Sequence, residues 1–562
     1  MENEYPQTIQ GLGSSEQSNK PTSIFPIRAF QTFNRLECEL EHTTIDATAP
    51  YTAISYVWGA AADKATIICQ GKPLQIPRNL LDALGQIRCH SASPQLLWAD
   101  AICINQKDDG EKNVQVPLMR VIFGKADQVL IWLGHDEAES AKGVFGFATK
   151  VFNEFHGNSE SARSVSHDNF NGGLQPSSIW HEFSTLFTQP WFWRLWCFQE
   201  VILARNAQVM WGEARVPWKH LGFTAGWIRG TGYEILQHFS MAGVYNASLM
   251  YSMSADTGAE PVSLLRLLML TQRFNVTKSV DRIFALLGIP TTDADPDKGD
   301  FYMQTTYEKP HEAVYEDFAR KVIDNSQALA LLSAVQHGPH LSETTKSWVP
   351  QWDQHYTRII ASADFPTINF CASRRLSQTP PRLQDQHLVV HGLEVDTVSR
   401  LSDPMPERRI LASEHSRIQA LWTEITAPLQ SYPGRSGDLI SAFGRTLTAG
   451  KDWTGNSIRE DDSSHAADFA AFARKNFAPE IVGNSPAVAD LLLRRERGGG
   501  ARGDVRRYAE ALYGSFCRRR FFVTERGCIG IGPACVRDRD VVCVLSGAAV
   551  PFILRDTRQG SV

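Results

Sequence analysis

Two carboxylates of this chain stand in apolar surroundings, where ionisable side chains are uncommon. Glu200 follows Trp, Cys and Phe residues and precedes Val and Ile in the segment 189–204, and Asp100 interrupts the apolar run 96–104. A carboxylate removed from water must find hydrogen-bond donors, raise its pKa or face a cavity. Such acids stabilise oxocarbenium ions in glycoside cleavage, and they also form structural ion pairs. Both positions are therefore candidates for chemistry.

Each acid has a structural interpretation beside the functional one. In the functional interpretation Glu200 lines a pocket, and Trp196, one helical turn earlier, is able to stack on a base. In the structural interpretation Glu200 pairs with Arg194 or Arg205. For Asp100, a hydrogen-bonded anchor that holds a loop is favoured over a ligand contact. For Cys197, we favour a buried thiol over a nucleophile because no histidine stands in a recognisable relation to it.

Polar residues also follow the apolar runs that read as strands. In open α/β sheets, ligands bind beyond the carboxyl ends of the strands. The residues at two such ends are Ser55, Tyr56, Trp58 and Gly59 at the end of the first run, and Asn105 and Gln106 after the second. Together with Asp100, they are the predicted nucleotide-binding crevice.

The elements that position these residues follow a βαβ pattern. Apolar runs at 51–59, 96–104 and 129–133 predict buried strands, with Asp100 inside the second. A polar loop at 105–111 leads into a helix that carries Val114, Leu118, Met119 and Ile122 on one side. The segment 189–204 predicts one buried helix with Trp193, Trp196 and Glu200 on one side. The fold class is therefore α/β, with a mostly parallel sheet and flanking helices.

The chain divides into four predicted parts. We expect a disordered tail at 1–23, the α/β domain at 24–212, a helical region at 213–345 and an α+β region at 346–562. The last part ends in an antiparallel β-module built from 387–399 and 519–555, where Arg526 and Gly527 suit a hairpin turn.

Composition excludes several classes of function. The 562 residues carry a net charge of −5, which gives no electrostatic case for nucleic-acid or membrane partners. The N-terminus has no signal-peptide pattern, so we expect a cytoplasmic protein. The ten cysteines include no CxxC pair and predict reduced buried thiols. No metal site and no cofactor is expected.

Four ordered motifs resemble the fungal heterokaryon-incompatibility (HET) domain family. YTAISYVWG (51–59) is similar to the opening motif of the family, and LLWADAICINQKDDGEKNVQV (96–116) to its second block. IFGKADQVLIWLG (122–134) and PWFWRLWCFQEVILA (190–204) match two further blocks. The departures from the common residues are Ile54, Ala99, Phe123 and Gln189. The resemblance implies a fungal protein of non-self recognition and programmed cell death on cell fusion.

The same core also resembles TIR domains, with a fold of the TIR or flavodoxin type. The similar features are the opening strand, the acid and acidic-glycine loop of Asp100, Asp109 and Gly110, and the motif of Trp196, Cys197 and Glu200. In active TIR domains the glutamate of such a helix supports cleavage of the nicotinamide–ribose bond of NAD. The resemblance thus implies that Glu200 is catalytic and that NAD, or a related nucleotide, is a substrate.

Three hypotheses for the function follow. The core is an NAD glycohydrolase that triggers cell death; or it is a non-enzymatic signalling module that self-associates or binds a protein partner; or it is a HET domain repurposed for another cytosolic role. The first requires Ser55, Asp100 and Glu200 to converge on one open cavity.

Overall fold

The computed structural model describes most of the chain and forms two compact units, residues 1–310 and residues 311–562. The described residues are 21–27, 36–44, 49–89, 95–157, 178–231, 235–236, 239, 241–254, 257–339, 345–354, 360, 370–373, 379–406, 417–426, 429, 432–433, 439–458, 463–477 and 503–556. The predicted disorder at 1–20 lies outside them, whereas 21–23, also assigned to the tail, belong to a strand.

The first unit holds ten strands and ten helices in its described residues. The strands are β1 (Pro21–Ile27), β2 (Glu37–Cys38), β3 (Glu41–Thr44), β4 (Thr52–Ser55), β5 (Lys64–Cys69), β6 (Lys72–Pro77), β7 (Gln95–Trp98), β8 (Gln128–Trp132), β9 (Ala207–Trp211) and β10 (Ala214–Pro217). The helices are α1 (Arg78–Cys89), α2 (Asp100–Cys103), α3 (Asp109–Lys125), α4 (Ala141–Phe155), α5 (Ser178–Phe187), α6 (Leu195–Ile202), α7 (Trp218–Thr231), α8 (Gly243–Ser252), α9 (Leu264–Leu270) and α10 (Asp281–Phe284). Single 3₁₀ turns lie at Pro190–Trp193 and Pro296–Lys298.

A parallel block forms the centre of the sheet in this unit. Its order is β9-β8-β4-β7, and all three pairings within it are parallel. Numbered along the chain, these strands run 2-1-3-4, which is the order of flavodoxin-like sheets, where ligands bind at the carboxyl edge beside the first strand. Antiparallel strands flank the block, β10 on one side and β1 on the other. The predicted α/β class is confirmed.

The second predicted strand is shorter than the apolar run that suggested it. Strand β7 ends at Trp98, and α2 begins at Asp100, whose Oδ1 accepts a hydrogen bond from the backbone N–H of Ala101 at 2.8 Å. The placement of Asp100 inside a strand was therefore wrong. An apolar run does not by itself separate a strand from a buried helical turn, and an acid suits the free N–H groups of a first turn.

The segment 189–204 is also not one helix. It forms the turn Pro190–Trp193 and then α6, because Arg194 between them is extended, with φ −84° and ψ 125°. Trp193 therefore does not share a helix with Trp196 and Glu200, which corrects the predicted stacking of the three. The predicted burial of the segment is confirmed, since seven of the eight residues of α6 are buried.

The second unit contains helices and an antiparallel sheet. Its helices are α11 (His311–Asp324), α12 (Ala328–Ala334), α13 (Leu439–Leu447), α14 (Ser463–Asn476) and α15 (Val505–Phe516), with a π-turn at Leu421–Thr426. Its strands are β11 (Arg382–Gln384), β12 (His387–Val389), β13 (Gly392–Leu401), β14 (Arg519–Thr524), β15 (Ile529–Pro533), β16 (Val541–Leu545) and β17 (Phe552–Leu554).

The predicted C-terminal β-module is confirmed, with one change. Five strands pair antiparallel in the order β15-β14-β13-β16-β17. The predicted strand 387–399 divides into two, because β12 pairs with β11 in a separate hairpin. One face of β14 packs Phe521 and Val523 on the helices that surround Tyr508. Among the described residues of the whole chain, no helix is long and apolar enough to cross a membrane.

Candidate functional site

Ser55 and Glu200 form a hydrogen-bonded pair inside the first unit. Ser55 is the last residue of β4, at the carboxyl edge of the parallel block, and its hydroxyl donates to Glu200 Oε2 at 2.5 Å. The indole N–H of Trp191 donates to the same hydroxyl oxygen at 2.8 Å. Ser55 is fully buried, and Glu200 is only 4% exposed. The sequence places a serine at the end of an apolar strand, and the fold brings the acid of α6 onto it.

Arg194 lies beside the second acid, Asp100, and also acts electrostatically on Glu200. Its guanidinium donates to the backbone oxygen of Tyr56 at 2.7 Å and lies 3.8 Å from Asp100 Oδ2. It also faces the ring of Trp58, with 6.0 Å from the guanidinium carbon to the ring centroid. A guanidinium presents five N–H donors and stays charged, so one side chain can serve the loop after β4 and the nearby carboxylate together.

Asp100 holds the loop after β4 in place. The hydroxyl of Tyr56 donates to its Oδ1 at 2.7 Å, and the indole N–H of Trp58 donates to its Oδ2 at 2.9 Å. Gln106 reaches the backbone oxygen of Asp100 at 2.9 Å. These contacts give Asp100 the anchoring role that the sequence favoured. Trp58 is half-buried and Gly59 is exposed, with a positive φ of 76° that suits glycine.

Burial sets the proton affinity of Glu200. Desolvation raises its pKa to about 7, although Arg194 and the hydrogen bond from Ser55 act in the opposite direction. A carboxyl with a pKa near 7 exchanges its proton near neutral pH, which suits general acid or base chemistry. Burial, Asp100 and its hydrogen bond likewise hold the pKa of Tyr56 well above its usual value, so this phenol stays a donor.

Two predicted site residues point elsewhere. The indole N–H of Trp196 donates to Asp281 Oδ2 at 3.2 Å, and Asp281 also accepts from the hydroxyl of Tyr307 at 3.0 Å. Asn105 belongs to the loop before α3: its side-chain oxygen accepts from the N–H of Lys107 at 3.1 Å. The structure therefore brings Ser55, Tyr56, Trp58, Asp100 and Glu200 into one network, with Gly59 at its rim, and gives Trp196 and Asn105 other partners.

Ser55, Asp100 and Glu200 come together, but they do not line the cavity that the structure shows beside the parallel block. A cavity of about 40 Å³ lies at the opposite edge of the parallel block, lined by Thr52, Gln95 and Gln128 at or near the starts of their strands. None of Ser55, Asp100 and Glu200 lines this cavity. The two acids and the hydroxyl do come together: Ser55 bonds directly to Glu200, and Arg194 lies beside Asp100. Within the part of the chain that the structure describes, no cluster of three His, Cys, Asp or Glu residues could hold a metal ion.

The sequence did not identify two members of the network. Arg194 was considered only as an ion-pair partner of Glu200, yet it also contacts Tyr56, Asp100 and Trp58. No pattern in the sequence distinguishes Trp191 from the other aromatic residues of its segment. A charged residue in an otherwise apolar segment was the available signal for Arg194, whereas the contact of Trp191 with Ser55 spans 136 positions and depends on the fold.

Comparisons with known proteins agree with the resemblance seen in the motifs. Residues 51–200 match the model of the family described as "Heterokaryon incompatibility protein (HET)". The chain is 23% identical over 619 aligned positions to "Heterokaryon incompatibility protein 6, OR allele" of Neurospora crassa, covering 92% of this chain and 88% of that protein. No solved structure matches the chain, so the likeness to TIR domains stays a prediction.

Proposed function

We propose that this chain, whose residues 51–200 belong to the HET domain family, acts in fungal non-self recognition by cleaving the nicotinamide–ribose bond of NAD. The similarity to an incompatibility protein along most of the chain supports the biological role. One observation carries the chemistry: Glu200 meets Ser55 at the carboxyl edge of β4, in a flavodoxin-like strand order. That edge is where nucleotides bind in sheets of this order.

The reaction needs one carboxylate and one water molecule. The N-glycosidic bond breaks, and its electron pair leaves with neutral nicotinamide. Glu200, ionised, stabilises the positive ribosyl oxocarbenium ion, as carboxylates do in glycoside cleavage. Water then adds to the ribose carbon, and its proton passes to Glu200 or to solvent, which yields ADP-ribose. The hydroxyl of Ser55 orients the carboxylate through their hydrogen bond.

Entry of a nucleotide requires movement of the loop after β4. Glu200 is almost fully buried, whereas Trp58 and Gly59 are the accessible members of the network. Trp58 is fixed by one hydrogen bond to Asp100 and by its contact with Arg194. We infer that Trp58 shifts to admit the substrate. Arg194 then turns toward the pyrophosphate, because one guanidinium group can donate two hydrogen bonds to the oxygens of a phosphate.

NAD consumption by the purified full chain tests the proposal. Wild type is compared with Glu200→Gln, which keeps a hydrogen-bond acceptor for Ser55, and with Glu213→Gln, which alters an exposed acid of the same unit. We expect nicotinamide and ADP-ribose from wild type and from Glu213→Gln, and none from Glu200→Gln. Equal turnover by all three proteins excludes Glu200 as the catalytic residue. No turnover by folded wild type, also at concentrations that drive self-association, excludes the glycohydrolase.

The second candidate is a non-enzymatic signalling module, and one observation favours it. Both carboxylate oxygens of Asp100 accept hydrogen bonds from within the domain, so this acid needs no ligand. In this alternative the network only stiffens the core, and the domain acts by self-association or by binding a protein. Expression in a fungal host separates the two: growth arrest that persists in Glu200→Gln at equal protein level supports the module.

A further inference from the structure

Two thiols lie side by side in the sheet of the first unit. Cys38 of β2 and Cys69 of β5 are paired residues of a parallel ladder. Backbone hydrogen bonds fix this register on either side of the pair, from Ile68 N–H to the oxygen of Leu36 and from Gln70 N–H to the oxygen of Cys38, both at 3.0 Å. The geometry is thus set by the backbone and not by the thiols themselves.

The pairing brings the sulfur atoms within reach of each other. Neighbouring strands lie about 4.8 Å apart, and a disulfide spans Cα atoms separated by about 4.4 to 6.8 Å. The two thiols are close enough for each to shift the pKa of the other. Both residues are more than nine-tenths buried, and every cysteine of the chain is a free thiol in this structure.

We propose that Cys38 and Cys69 are a redox-modification site, which a peroxide converts into a disulfide that closes the segment 38–69. This segment contains β4 and the loop of Ser55 to Gly59, so the cross-link ties the first strand of the site and its loop into a covalent ring. The proposal is independent of any reaction at Glu200.

The two sulfur atoms have distinct roles. The neighbouring thiol of Cys38 lowers the pKa of Cys69, whereas Cys69 and burial raise the pKa of Cys38. Cys69 is therefore the thiolate that attacks hydrogen peroxide, which gives a sulfenic acid and hydroxide. The sulfur of Cys38 then attacks the sulfur of Cys69, its proton leaves, and water is released. In balance, two thiols are oxidised and one peroxide is reduced to two water molecules.

A third thiol provides a matched control. Cys103, the last residue of α2, is buried nearby and acts electrostatically on Cys38. It is not paired with either strand residue in the ladder. If strand register determines the cross-link, Cys103→Ser leaves it intact. Burial keeps the pKa of the Cys103 thiol well above its usual value, so this thiol is the weaker nucleophile.

The experiment treats the fully reduced full chain with hydrogen peroxide, blocks the remaining thiols under denaturing conditions and maps disulfides by mass spectrometry. We expect a peptide pair joined through Cys38 and Cys69, in wild type and in Cys103→Ser. We also expect a thermal midpoint that rises by about 5 °C and returns on reduction, because the ring restricts the unfolded chain. In Cys38→Ser, Cys69 should instead accumulate as a sulfenic acid that a dione probe traps.

Several outcomes would overturn the proposal. One is oxidation of the exposed thiols Cys89 and Cys371 while Cys38 and Cys69 stay reduced. Another is a cross-link that joins Cys69 to Cys103. A third is oxidation of Cys69 to sulfinic acid without any cross-link in wild type. If Cys38→Ser does not fold, the wild-type disulfide map and the reversible thermal shift still decide the question.

Discussion

Trp196 donates its indole N–H to Asp281 across 3.2 Å, and this bond joins the helix of Glu200 to a residue far beyond the matched family region, which ends at residue 200. Asp281 begins α10 and is buried. Burial raises its pKa, and the bonds from Trp196 and Tyr307 partly oppose that rise. The helix that carries Glu200 is therefore bonded both to Ser55, early in the first unit, and to Asp281, late in it.

The Trp196–Asp281 bond should contribute measurably to stability. We predict that Trp196→Phe lowers the free energy of unfolding by about 1 to 2 kcal/mol, because a buried acceptor loses one of its two donors. Tyr307→Phe removes the other donor and should cost a similar amount. Urea unfolding of the purified chain measures both. A double variant whose loss equals the sum of the two single losses would show that the two bonds act independently.

A fragment cut at the end of the predicted α/β domain should fail to fold cooperatively. Residues beyond 212 supply three partners to the segment 190–202: Asn246 donates to the oxygen of Phe192 at 2.9 Å, Asn275 accepts from Leu195 N–H at 3.0 Å, and Asp281 accepts from Trp196. We predict a broad thermal transition for fragment 1–212 and a sharp one for fragment 1–310, measured by circular dichroism. A sharp transition for the shorter fragment would contradict this.

Ser55→Ala should destabilise the chain more than the loss of an ordinary buried hydroxyl. The change removes the donor to Glu200 and leaves the indole N–H of Trp191 without its acceptor. We predict a loss of about 2 to 3 kcal/mol, because buried polar groups without partners are costly. The control is Ser254→Ala, since the buried hydroxyl of Ser254 bonds, among the residues that the structure describes, to the carbonyl of Met250 one turn earlier. Equal losses in the two variants would contradict the prediction.

The stability contribution of Glu200 should depend on pH with a defined sign. Its pKa rises from 4.5 to about 7 in the folded chain, chiefly through burial, so folding favours the protonated form. The benefit is complete below the unfolded pKa and is lost as the pH rises through the folded pKa. Between those two values, wild type should lose about 3 kcal/mol relative to Glu200→Gln, which does not titrate.

Urea unfolding at about pH 4 and about pH 8 measures this difference. The comparison with Glu200→Gln removes the contribution of the other ionisable groups, which both proteins share. Parallel stability curves for the two proteins would mean that the Glu200 carboxyl has the same pKa in the folded and unfolded chains.

Local patterns were sufficient to predict much of the architecture. The apolar runs at 51–59 and 129–133 overlap strands of the parallel block, and the hairpin around Arg526 and Gly527 forms as predicted. These features depend on residues close together in the chain. An apolar run can form a strand or a buried helical turn, and at two such runs the prediction was wrong. The strand predicted within 96–104 ends at Trp98, and the single helix predicted at 189–204 is interrupted at Arg194.

The fold class, the family motifs and the residue types able to do chemistry can all be predicted from the amino-acid sequence, because strand periodicity and motif order are local properties. Tertiary structure alone decided which of those residues meet. Ser55 and Glu200 are 145 positions apart, and Trp196 and Asp281 are 85 apart. The packing of distant elements decides which partner a side chain meets. The sequence could therefore identify Glu200 and Trp196 as candidates, but it could not predict that they have different partners.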